Sequence, residues 1–588
     1  MLHQNQTKEN RSSLILALRS AVTRSMQTPG GQSTAYPWSL SDGFSHAFEW
    51  RNGRALSWQL LAVAAVWSFV VALHFGTDGL WYQGDAPRHV TNGLFWLDWL
   101  TDLPADPRPF ALGYYARYPV IHPTAHPPGF YLLEALSFAL FGASPHIAKG
   151  LVLILALVAT LYLLAWLRCW IAPETGWAAP LLLLQPGVVF WSHTVMLNIP
   201  SVAIGMAALW HLRRWIDRPA SRQVYPALIL TFVGILTYFT TAVVAPIFFV
   251  WVLTERRWAI LKDRRALVLA PLLAVLLVPW AVIVYHWAPA HVSSLYHTSQ
   301  PFWNPPRWTY YAESLPELFT LVLLVLAALG IVIGLVSATD RPETKRTAIW
   351  IVVSYLAFST IVAREPRYIL PLGPPAIILT VIGLWRLSRW SAARRSANPT
   401  PVFLAVIGLL TAGHLWSASL VRVPRVDGFK DVVAYFKDVA PEEMVFYDGA
   451  YDGVFSLYMR IGDPDFKRGV ILGDKLLYAS AIFSNWHLQE YVSSSKDVVE
   501  RLQAECGCRW LAIEQNRNLD QVAAARYLRE AVRGPEFEFI RTFQIDAPMA
   551  VAVDVYRFRL PVKPPEHIEL SFPSLGDGKR FRVKPIHR

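Results

Sequence analysis

Long apolar runs recur from residue 57 to residue 421, and clusters of arginine stand between them. This alternation constrains the fold more than any short motif does. The first run, Ser57 to Phe75, is close to the ~20 residues a helix needs to cross a hydrocarbon layer. Further runs at about 146–170, 177–194, 197–215, 224–238, 240–254, 265–287, 316–337, 348–363, 367–386 and 401–421 bring the expected count to about eleven. Composition agrees. Of 588 residues, 54% are hydrophobic and 16% charged, against about 25% charged in a soluble globular chain. The chain is expected to be a polytopic α-helical membrane protein. Its formal net charge of +12 does not point to nucleic acid. Lysine and arginine gather between the apolar runs, as they do in cytoplasmic loops.

That bias also sets the orientation. Arg51 and Arg54 precede the first run, so residues 1–56 are expected to be a cytoplasmic tail, with no secretory cleavage pattern. Later clusters lie at Arg213 to Arg222, Arg256 to Arg265, Arg341 to Arg346 and Arg386 to Arg395. All of them fall inside only if residues 76–145 stay outside. The run opened by His126-Pro127-Pro128-Gly129-Phe130-Tyr131 and closed by Phe141-Gly142 is therefore expected to lie in the outer interface. At roughly 16 residues it is marginal as a span, and its prolines suit a helix start. Residues 57–423 form the transmembrane part. An odd number of spans places residues 424–588 outside. There Phe429 to Val439, Val498 to Ala504 and Val522 to Val532 have helical spacing. Met444 to Tyr447, Gly469 to Leu472, Trp510 to Ile513, Phe537 to Phe543 and Val551 to Leu560 read as strands. Such alternation predicts a soluble α/β domain. Three cysteines make no disulfide framework, and Cys506-Gly507-Cys508 is read as ordinary packing rather than a redox or metal site.

Polar side chains capable of chemistry gather on the outer face. Tyr82-Gln83-Gly84-Asp85-Ala86-Pro87-Arg88-His89 follows the first span. A carboxylate there can take a proton from a nucleophilic hydroxyl or amine, or hold a divalent cation. Asp85 is also a good helix cap ahead of Ala86-Pro87. Arg88 and His89 would lie one turn on, near the positive helix end that favours phosphate, or Arg88 would pair with a head group, Asp98 or Asp102. Arg117, His122 and His126 form a second set, with metal or phosphate as candidate ligands. Arg364-Glu365-Pro366-Arg367-Tyr368 sits at the outer end of a span, where charge should face a cavity; an interfacial anchor is the plainer explanation. Tyr238, His193, Asn198, His291 and His297 are weaker candidates, each suited to a satisfied helix end.

Together, Asp85, the His126-Pro127-Pro128 helix start, Phe190 to Pro200 and the Pro366-Arg367-Tyr368 span start resemble the GT-C membrane glycosyltransferases over about residues 57–386. The similar branch holds protein O-mannosyltransferases and the lipid A aminoarabinose transferase. The resemblance implies transfer of a sugar from a polyprenyl-phosphate donor to a lipid, glycan or protein acceptor outside a plasma or inner membrane. It implies Asp85 as the catalytic carboxylate that activates the acceptor. Arg88, His126 and Arg367 would hold the lipid phosphate, and His89, Tyr238, Glu365 and Tyr368 would line the substrate site. Ala86 stands where many relatives carry a second acid, which weakens the case for a divalent cation. Asn198 and Tyr238 depart from the family pattern at positions that bear on the donor sugar. A transporter or flippase for a lipid-linked or amphiphilic solute is the alternative. It would need charges inside the bilayer or paired half-helices, and neither is evident. A non-catalytic scaffold would explain the C-terminal part but not the outer charges.

Overall fold

The computed structural model describes residues 53–585 except 77–78, 82–84, 122–125, 288–304, 362–363, 482–486, 517–520, 549–550, 564–565 and 572–579. His122, His291 and His297, and the residues 1–52, lie outside the described residues.

The chain opens with helix α1 (Gly53–His74) and a two-residue strand β1 (Leu80–Trp81). Three helices follow in the segment expected to lie outside, hereafter the outer loop: α2 (Asp85–Asp102), α3 (Pro107–Arg117) and α4 (Gly129–Phe141). Asp106 caps α3 by accepting the Arg108 N–H, and Pro127-Pro128 leads into α4. Helix α5 (Pro145–Trp170) starts at Ser144, whose side chain accepts the Ile147 N–H. Then come α6 (Pro186–Ser192), α7 (Asn198–Asp217), α8 (Val224–Thr237), α9 (Val244–Thr254) and α10 (Arg264–Trp287). The series ends with α11 (Pro305–Leu318), α12 (Leu321–Val336), α13 (Arg341–Ser359), α14 (Gly373–Ala393) and α15 (Thr400–Ser419).

Five segments are long and apolar enough to cross a membrane: Ala55–His74, Pro145–Trp170, Arg264–Tyr285, Pro366–Ala393 and Thr400–Ser419. A sixth arises if α11 and α12, bent by 116°, count as one. The protein is therefore a multi-pass, mainly helical membrane protein. Three of the expected spans have a different form. Residues 177–194 are a 3-10 run, Pro173–Leu182, followed by the seven-residue α6. Pro173, Pro180 and Pro186 withhold the N–H groups a continuous α-helix needs. Residues 224–254 make α8 and α9, of 14 and 11 residues, joined through a 3-10 turn at Phe239–Val243. At about 1.5 Å per residue each is well short of the hydrocarbon thickness. Buried apolar side chains of α5, α7 and α14 dominate the membrane core.

Beyond β2 (Arg425–Val426), which pairs with β1, the chain builds a layer of helices on a sheet. Its elements are α16 (Phe429–Val439), β3 (Met444–Asp448), α17 (Asp452–Ile461), β4 (Gly469–Leu472), α18 (Gly473–Leu476), β5 (Tyr478–Ala481), β6 (His487–Glu490), α19 (Ser495–Arg501), β7 (Trp510–Glu514), α20 (Ala523–Ala531), β8 (Phe537–Ile545) and β9 (Val551–Phe558). A further hairpin, β10 (Ile568–Ser571) with β11 (Arg580–Val583), follows. The five-stranded sheet runs β4-β3-β7-β9-β8. β3 is parallel to both β4 and β7, and β9 is antiparallel to β7 and β8. Cys506 and Cys508 are joined by a disulfide inside this layer, so the expected free packing does not describe them.

The second hydrophobic core is shared. Phe95, Phe110, Tyr114 and Tyr118 of the outer loop pack with Phe429, Phe455 and Phe466 of the layer. Buried polar bonds fasten the same seam. Arg460 pairs with Asp98 and donates to the Tyr114 hydroxyl (2.9 Å), and Tyr118 donates to Asp463 (2.6 Å). Arg117 donates to the Arg468 carbonyl (2.8 Å). The outer loop thus belongs to two cores.

Candidate active site

Asp85 is the first residue of α2, and Arg367 is the second of the 3-10 run Pro366–Leu372 that leads into α14. Across 282 residues of chain, the Arg367 Nη2 donates to Asp85 Oδ2 at 3.3 Å. The same nitrogen donates to Glu365 Oε1 at 2.8 Å. Nη1 lies 3.7 Å from Met196 Sδ, and the guanidinium stands over Trp191 and Tyr368. Arg367 is buried, while the two carboxylates are 48% and 42% exposed. The geometry is a buried cation offered to two open acids at the mouth of a span.

Their electrostatics differ. Burial works against the Asp85 carboxylate, but the positive charge of His89, Arg367, Arg88 and His126 outweighs it and holds the group at about 2. Burial pushes the Glu365 carboxyl up, and Arg367 offsets this only in part. Asp85 is therefore ionised throughout the neutral range, and the two acids titrate apart.

From this pair a chain of rings runs inward. The Tyr368 ring lies 6.3 Å from Tyr238, which meets His126 at 5.6 Å; His126 lies 5.3 Å from His89. Tyr238 ends α8, His126 precedes α4 and His89 is on α2. The fold brings seven of the eight nominated residues into one group. The eighth, Arg88, starts on the same turn but turns toward the layer, where its Nη2 donates to Asp452 Oδ2 at 3.2 Å. Asp98 does not receive it, being bound to Arg460. Arg117 lies outside the group, in the seam between outer loop and layer. His193 bonds the Val189 carbonyl and edges onto His74. Asn198 donates to the Arg367 carbonyl at 3.3 Å, so it supports the span start rather than lining the opening. Arg364 is tied to the Pro306 carbonyl.

Sequence reasoning did not single out Trp191, Tyr131 or Asp452. Tyr131 was visible only as part of the motif that opens at His126. Among the described residues no three His, Cys, Asp or Glu side chains converge as a metal site. A small apolar cleft lies between α7, the Phe239–Val243 turn and the start of α14, lined by Gly205, Met206, Val244, Trp350 and Pro374 among others. A second site type is closed off. At the ends of the parallel strands, where open α/β sheets hold ligands, Glu514 itself takes the N–H groups of Ala450 (2.8 Å) and Tyr451 (2.9 Å) and the Tyr447 hydroxyl.

Comparison with known proteins agrees with this architecture. ArnT from Cupriavidus metallidurans in the apo state superposes with TM-score 0.57 and 14% identity, covering 87% of this chain and 100% of that one. The same protein bound to undecaprenyl phosphate gives 0.55 and 14%, covering 87% and 99%. The oligosaccharyltransferase of Archaeoglobus fulgidus gives 0.49 and 12%, covering 84% and 74%. The chain shares the fold of ArnT. The family model described as dolichyl-phosphate-mannose-protein mannosyltransferase matches residues 125–283. No curated protein matches the chain in sequence.

Proposed function

We propose that this chain is a membrane glycosyltransferase that moves a sugar from a polyprenyl-phosphate-linked donor to an acceptor on the extracytoplasmic face. The observation that carries the reading is the Asp85–Arg367–Glu365 group: a carboxylate kept ionised and half open beside a buried guanidinium, at the membrane end of the outer loop. The family match over residues 125–283, which contains His126 and Tyr238, supports it.

In this reading Asp85 accepts the proton of the acceptor hydroxyl or amine as the new bond forms at the sugar's anomeric carbon. The lipid phosphate leaves with the bonding pair. Arg367 and the N-terminus of α2 stabilise the charge growing on it. His89, His126, Tyr238, Glu365 and Tyr368 line the sugar and phosphate. Arg88 serves the site indirectly while it remains on Asp452, and would reach phosphate only by leaving that carboxylate. A divalent cation is not required by these groups, since Arg367 already bridges the two acids.

The reading also keeps the domain scheme: a cytoplasmic tail to residue 56, a transferase domain over 57–423 crossing the bilayer an odd number of times, and an extracytoplasmic α/β domain over 424–588. The Cys506–Cys508 disulfide supports that side for the layer, because disulfides persist in oxidising compartments. The acceptor is a lipid, glycan or protein, and the membrane is the plasma or inner membrane. The test uses purified protein with radiolabelled polyprenyl-phosphate sugars. Sugar transfer or release that disappears in Asp85→Asn is expected; lipid flux without turnover would instead favour a flippase.

A further inference from the structure

Asp85 and Arg88 lie three residues apart at the start of α2, so their side chains share one face of the helix. They do not pair. Arg88 Nη2 donates instead to Asp452 Oδ2 at 3.2 Å, across 364 residues of chain. Among the described residues that is its one hydrogen bond, and its buried Nε has no partner. Asp85 meanwhile gives Oδ2 to Arg367, and among the described residues nothing bonds to Oδ1. A carboxylate of the α/β layer has taken the cation that the helix would otherwise hand to Asp85.

The layer holds that carboxylate in place. Asp452 is the first residue of α17, and its Oδ1 accepts the Gly453 N–H at 2.7 Å, which leaves Oδ2 to face Arg88. The turn leading into it is fixed from behind by Glu514 at the end of β7, which takes the N–H groups of Ala450 and Tyr451. Further along the same two helices Asp98 of α2 pairs with Arg460 of α17, so the layer stays seated on α2 whether or not Arg88 is bound. Asp474, just past the end of the neighbouring strand β4, is already paired with Lys475. The Asp452 side chain is 12% exposed against 48% for Asp85. Water screens a charge pair less at the more enclosed acid, so the arginine goes to the layer.

We propose that Asp452 is a positioning residue that works through Arg88. It draws the guanidinium off Asp85, so that Oδ1 stays open to take the proton of the acceptor. This rests on the reading of Asp85 as the general base of a transferase. With residue 452 neutral, Arg88 turns back along its own helix and bonds Oδ1. Both oxygens of Asp85 are then held by guanidinium groups, and the acid becomes a weaker base with neither oxygen open to the acceptor.

Two measurements test it on the full-length protein. The first is turnover of radiolabelled polyprenyl-phosphate sugars in a double-mutant cycle. Asp452→Asn, which keeps the side-chain shape and a helix-starting residue, should lower kcat roughly fivefold, the worth of a partly exposed ion pair, with the donor KM unchanged. Added to Arg88→Gln it should cost nothing more, because there is no guanidinium left to release. No loss of kcat, or an equal loss in both backgrounds, would mean that Asp452 only supports the layer, and the proposal fails. A donor KM that falls in Asp452→Asn would mean that the released arginine goes to the phosphate, and also overturns it. The second measurement needs no turnover: a cryo-electron-microscopy map of Asp452→Asn in nanodiscs. Arg88 is expected within hydrogen-bond reach of Asp85; a guanidinium still directed at residue 452 overturns the proposal. If wild type turns over none of the sugars while Arg88 moves as expected, the transferase reading fails and the exchange of partners stands without it.

Discussion

Two arginine–aspartate pairs join distant parts of this chain, and they are built in opposite ways. Arg460 and Asp98 are 3% and 1% exposed, and each has further partners: Tyr114 donates to Asp98, and Arg460 reaches the Asp463 carbonyl. Each guanidinium nitrogen has a partner and both side chains are buried, so the pair clamps the outer loop to the α/β layer. Arg367 and Asp85 have the same chemistry, but the aspartate is 48% exposed and shares its cation with a second open acid. Charge left reachable is charge available to a ligand. Pairing alone therefore says little about function; what matters is whether the partner side chains already satisfy one another.

Substitutions can break that contrast in a definite order. The largest effect is expected for Asp85→Asn, which should lower sugar transfer by about a hundredfold to ten-thousandfold, the usual contribution of a general base. Its unfolding midpoint should fall far less than on breaking the buried pair, because the group is half exposed. Arg460→Ala should do the reverse. Leaving Asp98 buried and unpaired costs about 3–5 kcal/mol, read as loss of the folded protein in a detergent thermal-unfolding assay. A transfer defect without loss of stability in Arg460→Ala would erase the distinction between the clamp and the open pair.

Smaller effects sharpen it. Arg367→Lys keeps the charge but loses the planar fork, so undecaprenyl phosphate affinity should fall by roughly tenfold, about 1.4 kcal/mol. Titration gives a fourth check. The folded Asp85 lies near 2, below its ordinary 3.8. Its contribution to stability is present above the ordinary value and is lost as pH falls toward 2. Transfer should therefore show no acid limb from Asp85 between pH 7 and pH 5; a limb with midpoint near 5 that vanishes in Asp85→Asn would contradict the arrangement.

The smallest effect concerns Glu134, buried on α4 with neither carboxyl oxygen bonded among the described residues. Burial raises this carboxyl well above its ordinary 4.5. The folded state then binds the proton more tightly than the unfolded one, so stability declines as pH rises above that value. Glu134→Leu should raise stability by about 1–2 kcal/mol and flatten that decline.

Local pattern carried much of the architecture. The apolar runs around Ala55–His74, Pro145–Trp170 and Thr400–Ser419 are continuous helices because nothing in them interrupts a 3.6-residue ladder. In the layer, Phe429–Val439 alternates with the helical period and Val551–Phe558 with the period of a strand. Hydropathy alone could not tell that residues 177–194 and 224–254 break into short pieces, since proline and 3-10 turns alter the backbone without altering the apolar content. Asp85 and Arg367 were both legible as charges stranded at span ends, which is a local property. Arg88 was not legible in the same way. Its neighbour on the helix suggested phosphate, and its partner turned out to be Asp452, 364 residues away.

From sequence alone came the membrane class, the gathering of polar side chains at span ends and the nomination of the acid after the first span. These follow from composition and period, which act over tens of residues. Which charges meet was decided only in three dimensions. The outer loop packs into two cores at once, and that double burial closes Arg460 on Asp98 while leaving Asp85 open beside Arg367. Solvent access is a property of the packed whole, and no stretch of residues carries it.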